Sequence, residues 1–380
     1  MRTSQEILKI FLSSHTLGDV MGVEDKIREI EEELRKTPYN KATQYHIGRL
    51  KARLSRLRDE AVKRSSKKSQ HNGYSVKKTG DATVVLVGPP SVGKSTILNR
   101  LTNATSEVAS YDFTTLNVIP GVTEIHGAKI QLLDVPGLIE GAALGKGRGR
   151  EVISVVRSAD LILLVTTVFE IEQLDTLEKE LYDAGIRLNI QPPDVRIIKR
   201  DRGGIRINKT PNVRMDDTLI KAVLGEYKIH NADIIIREDL TIDRLIDAIL
   251  ANRIYLPSIR VINKIDLIGR DELEPLRGMP DTVLISAATG EGLNDLKEMI
   301  FRGLGFIRIY MKPPGRKADL EHPLIVKTGA TVADVAERIH RDLKRNFRYA
   351  QVWGSSAKHD GQRVGLTHRL ADGDILRIVS

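Results

Sequence analysis

Apolar residues recur at helical spacing near the start of the chain, at Ile27, Ile30 and Leu34 and again at Ile47, Leu50, Leu54 and Leu57. Steps of three and four put each set on one stripe of a helix, which predicts helices over 22–38 and 41–66 parted by Thr37, Pro38 and Asn40. Two amphipathic helices so close in sequence form an antiparallel hairpin. The following SSKKSQHNGYSVKKTG is polar and bears Gly and Ser, as a linker does. The period then changes. A run of β-formers at 83–87 is followed by a glycine-rich turn and the helical ILNRLTNA, and further strands are expected at 129–133, 161–165, 259–262 and 283–285. Strands alternating with helical patterns predict an α/β fold, a mostly parallel sheet with helices on both faces.

One segment breaks that alternation. Residues 171–238 hold Pro192, Pro193 and VRIIKRDRGGIRIN, whose Gly203 and Gly204 sit between two β-rich runs as a hairpin turn would. It reads as an inserted α+β domain. Beyond Gly303 the order strand, strand, helix, strand, strand predicts a small mixed unit. The expected divisions are a leading segment 1–20, a basic hairpin 21–68, the α/β domain in two parts (69–170 and 239–303), the insertion 171–238 and a C-terminal module 304–380. The first twenty residues have one Arg before a short apolar patch that contains Glu6, which argues against a secretory signal. They are an extension or an ordinary leading helix.

Composition narrows the function classes. In 380 residues, 41% hydrophobic and 29% charged, no apolar run reaches the 18 or so needed to span a bilayer. The absence of cysteine excludes disulfides, thiolate zinc sites and thiol catalysis, and fits a cytoplasmic location. The net charge of +9 is unevenly placed: Lys41, Arg49, Lys51, Arg53, Arg56, Arg58, Lys63, Arg64, Lys67 and Lys68 face only Asp59 and Glu60 in that stretch. Such an excess suits phosphate contact with RNA, by shape and charge rather than base reading, or else is a solvated helix face. Arg196, Lys199, Arg200, Arg202 and Arg206 of the insertion form a second candidate surface. Tyr349 and Trp353 read as core or edge residues of the last module.

The strongest chemical signal is GPPSVGKS, comprising Gly88, Pro89, Pro90, Ser91, Val92, Gly93, Lys94 and Ser95, with Thr96 continuing into a helix. A strand, this loop and a helix N-terminus make a phosphate cradle: backbone N–H groups wrap the phosphates, Lys94 neutralises the outer two and Ser95 takes a place on magnesium. Chance produces the spacing in a chain of this length about 2% of the time, so context decides it. Asp134, Val135, Pro136 and Gly137 form DVPG at the end of the next expected strand, 40 residues after Lys94. There Asp134 can hold magnesium through water and the Gly137 N–H can reach the γ-phosphate. Between them lies YDFTTLNVIPGV with Phe113, Thr114 and Thr115, of which Thr115 is the favoured second magnesium ligand and γ-phosphate sensor. Asn263, Lys264, Ile265 and Asp266 spell NKID. The Asp266 carboxylate can accept from guanine N1–H and the 2-amino group, neither of which adenine offers there; sites of this kind discriminate by roughly 10⁴ to 10⁵. Ser286, Ala287 and Ala288 follow a strand and would offer a backbone N–H to guanine O6. Gly137 and Asn263 lie 126 positions apart, a surplus about the size of the insertion.

With these motifs in order, the chain resembles the Obg-like GTPases, and within them the developmentally regulated GTP-binding (DRG) proteins in an archaeal form. The likeness runs from Met21 to Ser380 and is strongest at YDFTTL, at DVPGLIEGAALGKGRG and in the C-terminal module. It implies a helix-turn-helix-like hairpin, a G domain interrupted by a domain like the second domain of ribosomal protein S5, and a C-terminal TGS domain with a β-grasp fold. It also implies GTP and GDP with Mg2+ as ligands, Lys94, Thr115 and Gly137 as the catalytic set, and an accessory regulatory protein or the ribosome as partner. Two departures shape the expected mechanism. Leu138 stands where Ras-like enzymes carry a water-orienting Gln, so intrinsic hydrolysis should be slow. Ser91 stands where potassium-using relatives often carry Asn, which leaves a K+ role open rather than implied. The glycines at 137, 141, 145, 147 and 149 suit a segment that orders on GTP and relaxes on hydrolysis.

Overall fold

The computed structural model describes residues 22–67, 79–102, 119–135 and 149–380. Phe113, Thr114, Thr115, Pro136, Gly137 and Leu138, together with the glycine-rich run after them and the first twenty residues, lie outside the described residues. The chain opens on α1 (Val23–Lys36) and α2 (Gln44–Lys67). The turn between them is capped, with Asn40 Oδ1 accepting from the Ala42 and Thr43 amides at 2.9 Å each. Then come β1 (Ala82–Val87), α3 (Lys94–Leu101), β2 (Ile119–Ile125), β3 (Ala128–Asp134), α4 (Gly149–Arg157), β4 (Leu161–Thr167) and α5 (Gln173–Asp183). A second group follows: β5 (Ile186–Leu188), β6 (Val195–Lys199), β7 (Ile205–Lys209), α6 (Asp217–Glu226), β8 (Ala232–Ile236), α7 (Ile242–Leu250) and β9 (Ile254–Leu256). The α/β pattern resumes in β10 (Ser258–Asn263), α8 (Arg270–Arg277), β11 (Thr282–Leu284) and α9 (Leu293–Gly303). The chain ends in β12 (Phe306–Met311), β13 (Leu324–Lys327), α10 (Val332–Ile339), α11 (Arg341–Arg345), β14 (Tyr349–Trp353), β15 (Gln362–Val364) and β16 (Ile375–Val379).

Two compact units result, one holding α1, α2 and residues 183–255, the other the α/β domain and the C-terminal module. The α/β sheet has the order β11-β10-β4-β1-β3-β2, parallel throughout except for the antiparallel edge strand β2. Its inner strands read as unbroken apolar runs because both faces are buried: every residue of β1 and β4 is inaccessible or nearly so. On one face Val84, Leu86, Ile130, Leu132 and Leu163 meet Ile97, Leu98 and Leu101 of α3 and Leu296 and Ile300 of α9. Register then matters for function. Leu86 pairs with Asp134, Val87 with Leu164 and Asn263 with Thr167, so the C-terminal ends of β1, β3, β4 and β10 finish along one edge. That edge is where open parallel sheets bind ligands.

The C-terminal module is a five-stranded sheet, β13-β12-β16-β14-β15, with Val332 and Val335 of α10 packed among Ile307, Ile309, Val352 and Leu376. It shares apolar contacts with the α/β layer: Phe306 and Ile325 belong to the same core as α9, and the Phe301 and Phe306 rings meet edge to face at 5.9 Å. The single helix expected in this module is two, α10 and α11. His340 is extended (φ −164°, ψ 136°), and its ring nitrogen caps the second helix by accepting from the Asp342 amide. Trp353 and Tyr349 lie half-buried on β14, under Lys312 at 4.2 Å and Arg363 at 4.6 Å respectively.

In the other unit the hairpin expected at Gly203 and Gly204 is absent. β8 lies between β6 and β7, antiparallel to the first and parallel to the second. Two glycines between β-rich runs are compatible with a wide turn as well as a tight one, and Ala232, Ile234 and Ile236 of β8 supply the most apolar inner face, so they take the centre. The compact span, 183–255, starts and ends later than the expected 171–238, because Leu174, Leu177 and Leu181 of α5 are buried with the α/β domain. Helix α2 lies against α6. A Cβ at Gly48 would come within 2.6 Å of Leu219 Cδ1, and Ala52, one turn on, is fully buried; the two smallest side chains on that face admit the neighbouring helix.

The same contact changes the reading of the basic stretch. Arg49 and Arg53 pair with Glu226, Lys51 with Asp243 at 2.6 Å, and Arg58 with Glu31 and Asp183. The Arg56 guanidinium donates to the Glu226 carbonyl at 2.6 Å. Five cations that looked like one solvated or RNA-facing surface are held within their own unit by residues 183–255, Arg49, Lys51, Arg53 and Arg58 by acids and Arg56 by a carbonyl. Deeper still, Arg187 makes a two-pronged contact with Asp247 at 2.6 and 2.8 Å, both side chains 4% exposed. Arg253 joins Asp247 at 3.0 Å to Asp59 of α2 at 3.2 Å. Removing one partner from a buried ion cluster costs about 3–5 kcal/mol. Asp247→Ala is therefore expected to lower unfolding free energy by about that much, and a denaturant midpoint unchanged from the parent chain would show that the cluster is not structural.

Candidate functional site

The loop 88–95 leaves β1 and enters α3, and its backbone is forced by close neighbours. A side chain on Gly88 would strike the Val165 carbonyl at 2.2 Å, and one on Gly93 would meet Asn263 Nδ2 at 2.4 Å. Ser91 (φ 65°) and Gly93 (φ 95°) both take left-handed conformations, and Gly93 stands at the N-cap of α3. Left-handed steps before a helix N-terminus turn successive N–H groups inward, which makes an anion-binding concavity. Val92, 1% exposed, anchors the loop in the core. Lys94 is 8% exposed and its Nζ donates to the Gly88 and Pro89 carbonyls at 2.9 and 2.7 Å. Burial lowers its pKa below that of an ordinary lysine, against the opposing pull of the Asp134 carboxylate.

Ser95 and Asp134, 39 residues apart, are brought together by the pairing of β1 with β3. The hydroxyl donates to Asp134 Oδ2 at 2.5 Å. A hydroxyl and a carboxylate oxygen beside a phosphate loop are hard donors of the kind that magnesium takes alongside water and phosphate oxygens. The pair fits that ion. Val135 continues from Asp134 into the core, and Thr96 is exposed on the first turn of α3.

Asn263 ties three motifs together. Its side-chain amide donates to the Val92 carbonyl at 2.8 Å and accepts from the Ala287 amide at 3.0 Å, all with the residue 3% exposed. Lys264 is left-handed (φ 68°) and its Nζ donates to the Ser91 carbonyl at 3.1 Å. Ile265, 6% exposed, plugs the core and its N–H reaches the Ile285 carbonyl at 3.2 Å. Asp266 and Leu267 beside it are exposed. Ser286 is fully buried, and its hydroxyl accepts from the Thr289 amide at 3.1 Å. Arg100, in the last turn of α3, donates to the Ala287 and Ala288 carbonyls at 3.1 and 2.6 Å. No motif points to this arginine: at the C-terminal end of a helix a cation reads as a complement to the dipole, and only the folded position of 287–288 shows its partners.

The fold and this edge define a P-loop GTPase domain. A sequence profile described as 50S ribosome-binding GTPase matches residues 83–199, that of the region C-terminal to it matches 202–306, and the TGS domain matches 307–380. Among curated relatives, an uncharacterised GTP-binding protein of Methanocaldococcus jannaschii is 58% identical over 96% of this chain and 94% of its own. Developmentally-regulated GTP-binding protein 2 of Homo sapiens is 47% identical over 94% of this chain and 100% of its own. The chain belongs to the developmentally regulated GTP-binding protein family. Among solved structures, a GTP-binding protein from Pyrococcus horikoshii OT3 aligns over 78% of this chain and 99% of its own at 18% identity, with a TM-score of 0.40.

Gly93→Ala combines a left-handed backbone with a contact of 2.4 Å to the Asn263 amide. It is expected to weaken guanine-nucleotide binding by at least 100-fold, an effect on the order of 3 kcal/mol, while leaving the far-UV circular dichroism of the chain in place. Retention of parent affinity in a nucleotide titration would contradict the described loop.

Proposed function

We propose that this protein is a cytoplasmic GTP-driven switch that hydrolyses its nucleotide slowly and acts on ribosomes or another translation-associated RNA. The observation that carries the nucleotide part is the Asn263 bridge between the phosphate loop and residue 287, since it joins phosphate and base subsites in one rigid unit. Phosphate oxygens replace the Gly88 and Pro89 carbonyls as partners of Lys94. Magnesium would be held by Ser95, by Asp134 through water and by Thr115, and the Gly137 N–H would meet the γ-phosphate. Asp266 selects guanine. Leu138 cannot orient a water molecule, so the missing group comes from a partner, where contributions of roughly 10³ to 10⁵ in rate are available. An accessory protein, a ribosomal site or a second copy of the chain could fill that role.

For the RNA part, the basic residues of α2 count for less than their number, being matched by acids. The exposed Arg196, Lys199, Arg202 and Arg206 of the inserted sheet count for more, although Arg200 is paired with Asp233. The second reading, a scaffold for RNA or protein whose bound GTP barely turns over, is favoured by the alkyl Leu138. Turnover separates the two. Purified protein with ribosomes is expected to release phosphate faster than a Lys94→Ala control and to co-sediment differently with GDP and with a non-hydrolysable GTP analogue. Equal phosphate release by parent and control leaves the scaffold reading standing.

Base selection has its own measurement. Asp266→Asn is expected to lose GTP affinity and to favour xanthosine triphosphate, whose 2-oxo group accepts from an amide. Unchanged GTP binding removes Asp266 from the base site.

A further inference from the structure

Guanine carries an O6 carbonyl where adenine carries an amino group, and a protein that reads O6 with one backbone N–H must hold that N–H in a single direction. We propose that Arg100 is the positioning residue for this contact: by gripping the Ala287 and Ala288 carbonyls it fixes the Ala288 N–H toward guanine O6. The inference rests on the expected reading of O6 by a backbone N–H of residues 286–288; the Ala287 N–H is already taken by Asn263 Oδ1 at 3.0 Å, which leaves that of Ala288, and Arg100 is the residue that enforces it.

The argument begins with the peptide plane. In a trans peptide the C=O and N–H point in opposite directions, and the barrier to rotating one without the other is large. The Ala287 carbonyl and the Ala288 N–H belong to the same plane, so a donor that holds the carbonyl at 3.1 Å also holds the N–H on the other side. The next plane is held in the same way: the Ala288 carbonyl accepts from Arg100 at 2.6 Å, and the Thr289 N–H opposite it donates to Ser286 Oγ at 3.1 Å. Asn263 fixes the plane before, accepting from the Ala287 N–H at 3.0 Å. Three consecutive peptide planes are therefore anchored by side chains, and Arg100 anchors two of them.

Arginine suits the task. Its planar guanidinium presents several N–H donors in a rigid fork, so two carbonyls can be gripped by one side chain, whereas a lysine offers a point charge without that geometry. The position also suits it. Arg100 closes the helix whose first residue is Lys94, and Ile97, Leu98 and Leu101 bury that helix against the sheet, so the exposed guanidinium stands on a fixed base.

The experiment compares three nucleotides in competition with a fluorescent GDP: GTP, ITP, which keeps O6 and N1–H and lacks the 2-amino group, and the triphosphate of 2-aminopurine riboside, which lacks both O6 and the N1–H that Asp266 would read, so that the change on substitution at Arg100, rather than the parent's preference, reports on O6. Arg100→Ala is expected to weaken GTP and ITP together by about 10-fold, the loss of one hydrogen bond's worth of binding, and to leave the 2-aminopurine nucleotide unchanged. Arg100→Lys should recover part of the loss, and Arg100→Gln, which keeps one donor group, should fall between. Equal weakening of all three nucleotides would make Arg100 a general support of the helix and overturn the proposal. If the parent protein does not prefer GTP over the 2-aminopurine nucleotide, the reading of O6 fails first and the proposal with it.

Discussion

The nucleotide site depends on one buried amide. Asn263 has a donor and an acceptor on one planar group, and both are used at right-angled tasks: the donor holds the phosphate loop at Val92, the acceptor holds the base loop at Ala287. A carboxamide does both at once from separate atoms of one rigid plane. A carboxylate could not donate to the Val92 carbonyl, and an aliphatic isostere would leave both backbone groups unsatisfied at a cost of about 1–3 kcal/mol each. The requirement spreads outward. Gly93 must lack a side chain because the Asn263 amide occupies that space, Val92 must be apolar to seat the loop, and β10 must end in register with β4 to deliver residue 263 to the edge.

Much of this was legible in the sequence because the motifs are local. The phosphate loop, DVPG and NKID are each a few contiguous residues, and the strands that carry them announce themselves as apolar runs bounded by turns. Register explains why they meet: parallel strands of similar length finish together, so motifs at strand ends converge without any one of them specifying the others. The DRG resemblance drew on the same residues and adds the modular order, which the TGS match at 307–380 supports.

What was not legible depended on partners distant in sequence. The strand between β6 and β7 comes from residues 232–236, beyond two intervening elements, and no local pattern at Gly203 and Gly204 distinguishes a tight hairpin from a wide turn. The charge on α2 was counted correctly, yet Glu226 and Asp243, which neutralise much of it, lie more than 170 positions away. His340 broke a helix that periodicity alone would continue, because an imidazole can cap as well as lie on a polar face. The edge strand β2 was hidden within a stretch of threonines and a proline read chiefly for its metal chemistry.

Helix α3 has eight residues, and its two ends do different work: the first turn carries Lys94 and Ser95 of the phosphate loop, the last grips the loop at 287–288. At 1.5 Å per residue it is a gauge block of about 12 Å. A nucleotide also has a fixed length from phosphate to base, so a helix that links the two proposed subsites fixes a distance as well as a chemistry. One residue more or fewer would shift the far end along the axis and turn it by about 100°, swinging Arg100 off its carbonyls even if every motif were intact. In this stretch, the spacing between residues carries information that a list of conserved letters would not hold.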